Sequence, residues 1–488
     1  MNFTSASDDF ESIVQNHDDI SLESVTIDET PIVDAPESEG NFTELKNEIG
    51  TNSEVSLEKN YVYVEGDVVS GIVLSNSVTI DGKGHTIDAK NIARILIIKG
   101  DNSPHIVLNN ITFVNANTTG AGGVINLDTT NTVNLSIINC KFINNSAGKS
   151  GGAVYLKFNG EVNIENNYFR HNSGVGCGAL YANNLIKSFY NNYFINNCAI
   201  NNAGAAQVGA NTIVNKSTFI NNSAKRNGGA LYIGENKIKV YDSTFEGNTA
   251  DHGGAIYSSS EKFEVNNCIF ERNSATCIQS TNKETNNGGG AIFASGKNTK
   301  IINSKFNNNN ATDSVGGAIL ITNSGTVSGS SFNNNLARYG GAVMVNGNDG
   351  NVIRCNFTDN KVKDITPLSQ KDGPKGAGVY VHGNNVQISD CHFEKNTVIW
   401  DSSSQDHLGG GIYVTGNKAV ISNSQFDLNN ATYGGGIYVN DACQDVIIDK
   451  CNFTKNYAQN SGATGAAISS VGSNPTISNC IFTNNTSK

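Results

Sequence analysis

A phenylalanine that recurs every 25 to 36 residues constrains the fold of this chain more than any other feature. Thirteen of the fourteen copies have Asn three residues later, and only Phe113, followed by Ala116, departs from the rule. Self-similarity at such a period predicts a solenoid, in which each repeat buries its apolar face against the next. The copies are Phe113, Phe142, Phe169, Phe194, Phe219, Phe245, Phe270, Phe306, Phe332, Phe357, Phe393, Phe426, Phe453 and Phe482.

The residues around each Phe divide the repeat into short strands. An apolar residue lies five positions before every Phe, as Ile137 lies before Phe142. Strand side chains alternate between faces, so two inward residues an odd number apart require a bend between them. The position three before Phe is Asn, Asp or Gly in eleven copies, and these residues tolerate a positive φ. The pattern therefore predicts two strands joined at a corner.

A glycine-rich motif supplies a further strand in each repeat. Gly-Gly-Ala-Ile-Tyr occurs at 253–257, and close variants occur at 151–155, 228–232 and 434–438. Three strands with corners make a triangular coil whose strands pair in parallel with those of the next coil. We therefore predict an all-β parallel β-helix of about fourteen three-strand coils, filled by ladders of Ile/Val, Cys/Ser and Phe.

The charge distribution separates the N-terminal segment from the repeats. The chain has 33 basic and 44 acidic residues, and eleven of the acids lie in residues 1–40, which contain no Lys or Arg. We expect 1–40 to be disordered, 41–60 to form an N-terminal cap, and 61–488 to form the β-helix. Asn41 and Glu44 predict a short capping helix whose apolar face is Phe42, Leu45 and Ile49.

The chain carries no segment that the sequence identifies as a signal peptide or a membrane span. Met1–Ile20 lacks a basic region followed by an apolar core, and no run of 18 apolar residues occurs. No capping segment follows Phe482, so we expect that the full-length protein could continue into further domains. The near-neutral repeats offer no basic surface of the kind that nucleic-acid binding needs.

The motifs resemble those of two groups of surface proteins. Phe-x-x-Asn with Gly-Gly-Ala-Ile resembles the repeats of polymorphic outer-membrane proteins. The stretches Ile72–Asp88 and Ile111–Asn115 resemble adhesin-like surface proteins of methanogenic archaea. Both resemblances imply a right-handed parallel β-helix of the pectin-lyase type, exported to the cell surface.

An aromatic column is the first candidate for ligand binding. If the Ile of Gly-Gly-Ala-Ile-Tyr points inward, the Tyr that follows points outward. Stacked rings that carry hydroxyls suit sugar rings or a protein partner, whereas the alternative is a packing ladder that shields the sheet. The members of this expected exposed ladder are Tyr155, Tyr181, Tyr232, Tyr257, Phe293, Tyr380, Tyr413 and Tyr438.

Three long turns are the second candidate. Residues 274–288, 361–375 and 397–408 lengthen the same turn, and the last two lie on adjacent coils. Loops on a rigid scaffold concentrate binding residues, although such turns also tolerate neutral insertions. The ligand-binding residues that we predict here are Lys361, Lys363, Asp372, Trp400, Asp401, Asp406 and His407, together with Tyr380, Tyr413 and Tyr438.

The remaining reactive residues favour structural roles. Cys140, Cys268, Cys355 and Cys391 are among six cysteines two positions before Phe, where a small buried side chain fits. No Cys or His spacing suggests zinc, and we predict no metal, no cofactor and no catalytic residue. No Asp, Glu, Arg or Lys lies within a Gly-Gly-Ala-Ile-Tyr motif, which argues against catalysis along that face.

The sequence thus favours a secreted or cell-surface adhesin-like protein that is not an enzyme. Its partners would be surface glycans or the proteins of a host or neighbouring cell, bound through the side wall and the inserted loops. A polysaccharide lyase or glycoside hydrolase of the same fold is the first alternative. A structural stalk that holds another domain away from the cell is the second.

Overall fold

The computed structural model describes residues 39–277, 287–363, 373–399, 407–459 and 465–487. Over these ranges the backbone winds as a right-handed parallel β-helix of about 15 turns, which confirms the predicted fold. Equivalent residues pair in register from coil to coil, as Phe113, Phe142 and Phe169 do. The predicted disordered segment 1–40 lies, apart from its last two residues, outside the described residues.

The described strands form four parallel sheets, so the prediction of three strands in each coil is corrected to four. Sheet 1 holds the Gly-Gly-Ala-Ile-Tyr strands, sheet 2 the strands five residues before Phe, and sheet 3 the Phe strands. Sheet 4 consists mostly of two-residue strands that follow the Asn, too short to show a period in the sequence.

Sheet 1 comprises Ile72–Leu74, Leu96–Ile98, Ile125–Thr132, Val154–Asn159, Leu180–Ala182, Ala206–Gln207, Leu231–Ile233, Ile256–Ser258, Ile292–Ala294, Ile319–Ile321, Val343–Val345, Val379–Val381, Ile412–Val414, Ile437–Val439 and Ile468–Ser470. Sheet 2 comprises Glu54–Ser56, Val78–Asp81, His105–Asn109, Asn134–Ile138, Val162–Glu165, Ile186–Tyr190, Ile213–Asn215, Lys239–Tyr241, Glu264–Asn266, Thr299–Ile302, Gly325–Ser328, Asn351–Ile353, Gln387–Ser389, Val420–Ser422, Ile447–Asp449 and Thr476–Ser478.

Sheet 3 comprises Gly40–Asn41, Tyr61–Val62, Thr86–Asp88, Thr112–Val114, Lys141–Ile143, Tyr168–Arg170, Tyr193–Ile195, Thr218–Ile220, Thr244–Glu246, Ile269–Glu271, Lys305–Asn307, Ser331–Asn333, Asn356–Thr358, His392–Glu394, Gln425–Asp427, Asn452–Thr454 and Ile481–Thr483. Sheet 4 comprises Asn117–Thr118, Ser146–Ala147, Ser173–Gly174, Cys198–Ala199, Ser223–Ala224, Thr249–Ala250, Ser274–Ala275, Asn310–Val315, Leu336–Tyr339, Lys361–Val362, Thr397–Val398, Asn430–Ala431, Tyr457–Ala458 and Thr486–Ser487.

The corner between sheets 2 and 3 has the same backbone conformation in every repeat. The residue three before Phe has a φ between 46° and 59° in all fourteen copies, including Lys216, Arg354 and Lys450, which are not turn formers. The coil geometry therefore imposes a left-handed residue even where the side chain does not favour it. The residue two after Phe also has a positive φ, as in Asn144 with 57°, and this second corner leads into sheet 4.

Where a Gly-Gly pair precedes a sheet 1 strand, as Gly253 and Gly254 do, the two glycines meet separate steric limits. A Cβ on Gly253, whose φ is 61°, would lie 2.2 Å from the Ile256 carbonyl oxygen. A Cβ on Gly254 would lie 2.1 Å from the Gly290 oxygen of the next coil. The first glycine is thus required by its own turn and the second by the close approach of the neighbouring coil.

The interior consists of the predicted ladders. The phenylalanine rings from Phe113 to Phe482 stack continuously, with centroids 4.5 to 5.2 Å apart in successive pairs. Cys140, Cys268 and Cys355 are buried as free thiols beside this stack. The Cys140 thiol donates to the Ile138 carbonyl at 3.3 Å. The cysteines therefore fill the structural role that the sequence predicts.

A column of buried asparagines runs beside the phenylalanine stack. The backbone N–H of Asn309 donates to Oδ1 of Asn335 at 2.9 Å, and its Nδ2 donates to that oxygen and to the Phe270 carbonyl, both at 3.0 Å. Oδ1 of Asn309 accepts from the backbone N–H and Nδ2 of Asn273, both at 3.0 Å. The same pattern recurs along the column, so the asparagines bond to one another across coils.

The N-terminal helix Phe42–Ile49 closes the first coil as predicted. Phe42, Leu45 and Ile49 are buried, and Oδ1 of Asn41 accepts from the Glu44 N–H at 2.8 Å. The structure adds Asp67, a residue that sequence reasoning missed. Its carboxylate accepts from the N–H groups of Phe42 and Thr43 and from the Thr43 hydroxyl. No helix among the described residues is long and apolar enough to cross a bilayer.

Substituting Asn309 tests the asparagine column. Asn309→Ala leaves the Asn273 N–H without its side-chain acceptor and removes one donor to the Phe270 carbonyl, so we expect a loss of about 3 kcal/mol in the free energy of unfolding. Asn307→Ala, on the outward side of the adjoining strand, is the matched control and should cost about 0.5 kcal/mol or less. Equal losses in urea denaturation would show that the column is not a special source of stability.

Acid should loosen the N-terminal cap through Asp67. Burial alone would raise the pKa of Asp67, but its hydrogen bonds to Thr43, Val64 and Phe42 outweigh burial and lower it. A lowered pKa means that the stabilisation is complete above the ordinary value of about 3.9 and is lost as the pH falls through the folded pKa. We expect amide exchange in the helix to accelerate over that range.

The Asp67→Asn variant should exchange fast in the helix at neutral pH and lose the acid dependence. Asp101→Asn, at an exposed position that contributes none of these hydrogen bonds, is the control and should behave as the unmodified chain does. An unchanged exchange profile in Asp67→Asn would show that the carboxylate does not hold the helix.

Candidate binding wall

The outward residues of sheet 1 form a tyrosine wall, defined here as Tyr155, Tyr181, Gln207, Tyr232 and Tyr257 on successive coils. Tyr155 and Tyr181 stack with ring centroids 4.8 Å apart, and Tyr232 and Tyr257 stack at 5.4 Å. All four rings are partly exposed. Because each side chain rises from a paired strand, the rings are held at the spacing of the coils, about 4.8 Å.

The hydroxyl groups of three wall tyrosines, Tyr155, Tyr181 and Tyr257, stay neutral at physiological pH. Burial raises the pKa of Tyr155, Tyr181 and Tyr257 above the ordinary value for tyrosine. A neutral phenol can both donate and accept a hydrogen bond, which is what a sugar hydroxyl requires of its partner. The wall therefore combines flat apolar faces with polar edges.

The wall changes character in the C-terminal coils, where the expectation of an exposed ladder is wrong. Tyr380, Tyr413 and Tyr438 are only 8%, 2% and 9% exposed, and Phe293 is 6% exposed. They point away from the coil interior as predicted, but they pack with Val315, Tyr339, Met344 and Leu408 into a second apolar cluster. These three tyrosines contribute to packing along the described coils.

The residue that precedes the first glycine of each sheet 1 motif explains this difference between the open and the covered rings. These residues form a column of bridges along the edge of sheet 1, and the column begins with Ser150, Cys177, Asn202 and Asn227. In later coils the same column contains His252, Gly288, Val315, Tyr339, Lys375, Leu408 and Tyr433. The large edge residues Val315, Tyr339 and Leu408 pack with the covered outward rings in one apolar cluster.

Some of the binding residues that we predicted in the long turns lie among the described residues, and others do not. Lys361–Val362 pairs with Thr397–Val398, which confirms that the second and third insertions lie on adjacent coils. Nζ of Lys361 donates to Oδ1 of Asn334 at 2.8 Å, and Lys363 is exposed. Asp372, Trp400, Asp401 and Asp406 lie outside the described residues.

His407 and Lys375 border the covered cluster. The expectation that His407 lies in an accessible loop is wrong, since its side chain is 1% exposed and its carbonyl accepts from the N–H groups of Thr432 and Tyr433. Nζ of Lys375 lies 5.5 Å from the centroid of the Tyr413 ring, within the range of a cation–π contact. Among the described residues, no three His, Cys, Asp or Glu side chains are grouped to hold a metal.

Truncating one ring from each half of sheet 1 tests the distinction between an open wall and a covered cluster. Tyr413→Ala removes a buried ring that also accepts a hydrogen bond from Asn440 at 3.0 Å, so we expect unfolding to become easier by about 3 kcal/mol. Tyr181→Ala, at the equivalent position of the open wall, should cost about 1 kcal/mol. Similar losses in thermal or chemical denaturation would mean that both halves are packed alike.

Comparison with known proteins agrees with this architecture. The protein-family model of the right-handed β-helix region matches residues 277–408 and 397–488 of this chain. The Chlamydia polymorphic membrane protein repeat matches residues 139–157, 216–234 and 242–259, each of which runs from a corner through Phe-x-x-Asn to a Gly-Gly strand. No curated protein matches the sequence.

Two solved structures match the chain at low similarity. A PL6 alginate lyase in complex with a trisaccharide has 12% identity and a TM-score of 0.24, with 91% of this chain and 85% of that one covered. The catalytic domain of a GH87 α-1,3-glucanase in complex with nigerose has 11% identity and a TM-score of 0.20, with 95% and 67% covered. At such scores the likeness carries no argument about activity. The repeats and the coil geometry together identify the chain as a right-handed parallel β-helix protein with repeats of the polymorphic membrane protein type.

Proposed function

We propose that this chain is a cell-surface, adhesin-like protein that binds glycan chains on its side wall. The observation that carries the proposal is the tyrosine wall, where two stacked and partly exposed ring pairs lie on a rigid sheet. Sugar rings present flat C–H faces and hydroxyl edges, and tyrosine complements both. The match to polymorphic membrane protein repeats supports a surface location.

The contrast between the two halves of sheet 1 supports binding over pure packing. A ladder that only shields the sheet would be covered along its whole length, as Tyr380, Tyr413 and Tyr438 are. In the earlier coils the residues at the sheet edge are small or polar, and the rings of Tyr155, Tyr181, Tyr232 and Tyr257 remain accessible. Partly exposed aromatic groups at fixed spacing are typical of an interaction surface.

Rigid spacing also favours an extended ligand. The wall crosses five successive coils, so a ligand that bound it along the helix axis would contact several equivalent rings in turn. Because these rings move little on binding, little conformational entropy is lost when the complex forms. A linear glycan meets this requirement better than a compact small molecule does.

Glycan-array binding with tyrosine variants tests the proposal. We expect selective retention of the purified chain on some glycans, and Tyr232→Ala with Tyr257→Ala should weaken that binding about tenfold, or about 1.4 kcal/mol. Tyr193→Ala is the matched control, because Tyr193 is a partly exposed outward tyrosine on sheet 3. Equal binding by all these variants would show that the wall is not the site.

The same assay tests whether the inserted turns bind the ligand and whether the chain cleaves polysaccharides. If the wall variants bind normally and Trp400→Ala does not, the binding site lies in the long turns instead. Unchanged affinity after shortening both 361–375 and 397–408 would remove those turns from consideration. Shortened oligosaccharides in the incubation mixture would identify a polysaccharide-cleaving enzyme, and a chain that retains no glycan or protein partner would favour the structural stalk.

A further inference from the structure

A lysine-lined groove lies at the corner between sheets 1 and 2, on the coils that carry the second tyrosine pair. The groove has a volume of about 500 Å³ and is lined by Lys237, Lys239, Lys262, Glu264, Asn298 and Lys300. We refer to these six residues as the lysine groove. They come from three successive coils, since Lys239, Glu264 and Lys300 are paired neighbours on sheet 2.

The groove lies next to the tyrosine wall, because groove residues follow the wall residues at a constant spacing in the sequence. Lys237, Lys262 and Asn298 each follow the sheet 1 aromatic residue by five positions, after Tyr232, Tyr257 and Phe293. The Tyr232 ring leans towards this corner, since a Cβ on Gly234 would lie 3.3 Å from it. The aromatic faces and the ammonium groups therefore form one surface that turns around the corner.

Glu264 is the neighbour of Lys239 and Lys300 on sheet 2, but it lies outside ion-pair distance of both. On the same sheet, Lys187 forms an ion pair with Glu161 at 2.8 Å. Among the described residues, none of Lys237, Lys239, Lys262 and Lys300 forms an ion pair within 4.0 Å. Glu264 instead accepts from the Tyr241 hydroxyl at 2.7 Å, and Nζ of Lys239 lies 5.7 Å from the centroid of the Tyr241 ring.

Like charges held one or two coils apart repel one another, and a bound anion relieves that repulsion. Glu264 lines the groove and Glu235 and Glu261 lie in the turns beside it, so the excess positive charge is local and small. The repeats as a whole are close to neutral, which gives no long-range attraction for polyanions in general. The choice of one polyanion over another must therefore depend on contacts in the groove and with the rings beside it.

We propose that the lysine groove and the adjoining Tyr232–Tyr257 pair bind a linear acidic polysaccharide. Sugar rings pack against the exposed edges and hydroxyls of the tyrosines, while carboxylate or sulfate groups of the same chain contact Lys237, Lys262 and Lys300. This inference rests on the proposed glycan-binding function and specifies its ligand class. The partly exposed aromatic pair favours a charged sugar chain over a bare polyanion, which needs no ring faces.

Paired polymers that differ only in charge test the ligand class. Polygalacturonate should bind and its fully methyl-esterified form should bind at least about tenfold more weakly, because the ester removes the charge that the lysines contact. Dextran sulfate and dextran form the corresponding sulfate pair and separate the two possible anionic groups. Raising NaCl to about 1 M, where the Debye length is about 3 Å, should weaken the binding of the charged members.

Lysine variants test the location. Lys262→Gln should weaken binding of the charged polymer a few-fold, and the triple variant Lys237→Gln/Lys262→Gln/Lys300→Gln by about tenfold or more. Lys418→Gln is the matched control, because Lys418 is exposed at the same corner with a φ of 56°, against 59° for Lys262. Circular dichroism and thermal unfolding should be unchanged in all of them, since the substituted lysine side chains are exposed.

Three outcomes would overturn the proposal. They are full affinity of the triple variant, equal binding of charged and neutral polymers, and binding of polyphosphate as tight as that of the acidic polysaccharides. Failure of this inference is distinguishable from failure of the proposed function. If neutral glycans bind and Tyr232→Ala with Tyr257→Ala abolishes that binding, the wall is a glycan site and only the acidic class is wrong. If neither neutral nor acidic glycans bind, both proposals fail.

Discussion

The hydrogen bonds of the buried asparagine column hold each coil at a fixed position relative to the next. Asparagine suits this place because a single planar amide carries both donors and an acceptor at the distance between coils. At Asn172, Nδ2 donates to the Phe142 carbonyl at 2.9 Å and to Oδ1 of Asn197 at 2.9 Å. Without this side chain the second corner of the coil would bury backbone groups that have no partner. The column therefore allows a sharp turn to be placed inside the protein.

The fixed spacing between coils determines what the outer surface can do. Each sheet repeats at the distance of paired strands, so any outward residue type that recurs in the sequence becomes a ladder at that distance. The phenylalanine stack uses this spacing inside the protein, and the tyrosine pairs use it outside. A regular surface of this kind is adapted to ligands that are themselves repetitive. The physical basis of the proposed function is thus the same pairing that stabilises the fold.

Much of the architecture follows from the sequence because each repeat is short and local. The odd spacing between Ile137 and Phe142 required a corner, and Asn139 has the positive φ that a corner needs. The helix cap was predictable from Asn41 and Glu44 for the same reason, since all its determinants lie within one turn. Sheet 4 and the Asp67 contacts were not predictable. A two-residue strand leaves no period, and Asp67 meets Thr43 only because the first coil brings them together.

The sequence by itself determined the solenoid, the inward ladders and the side of each strand that faces out. These depend on alternation and period, which the order of residues contains directly. Only the tertiary structure decided which outward residues are accessible. Tyr413 is covered and Tyr232 is not, because exposure depends on neighbours contributed by other coils. In the same way, Lys237, Lys262 and Lys300 are far apart in the chain and meet in one groove only when stacking places their coils side by side.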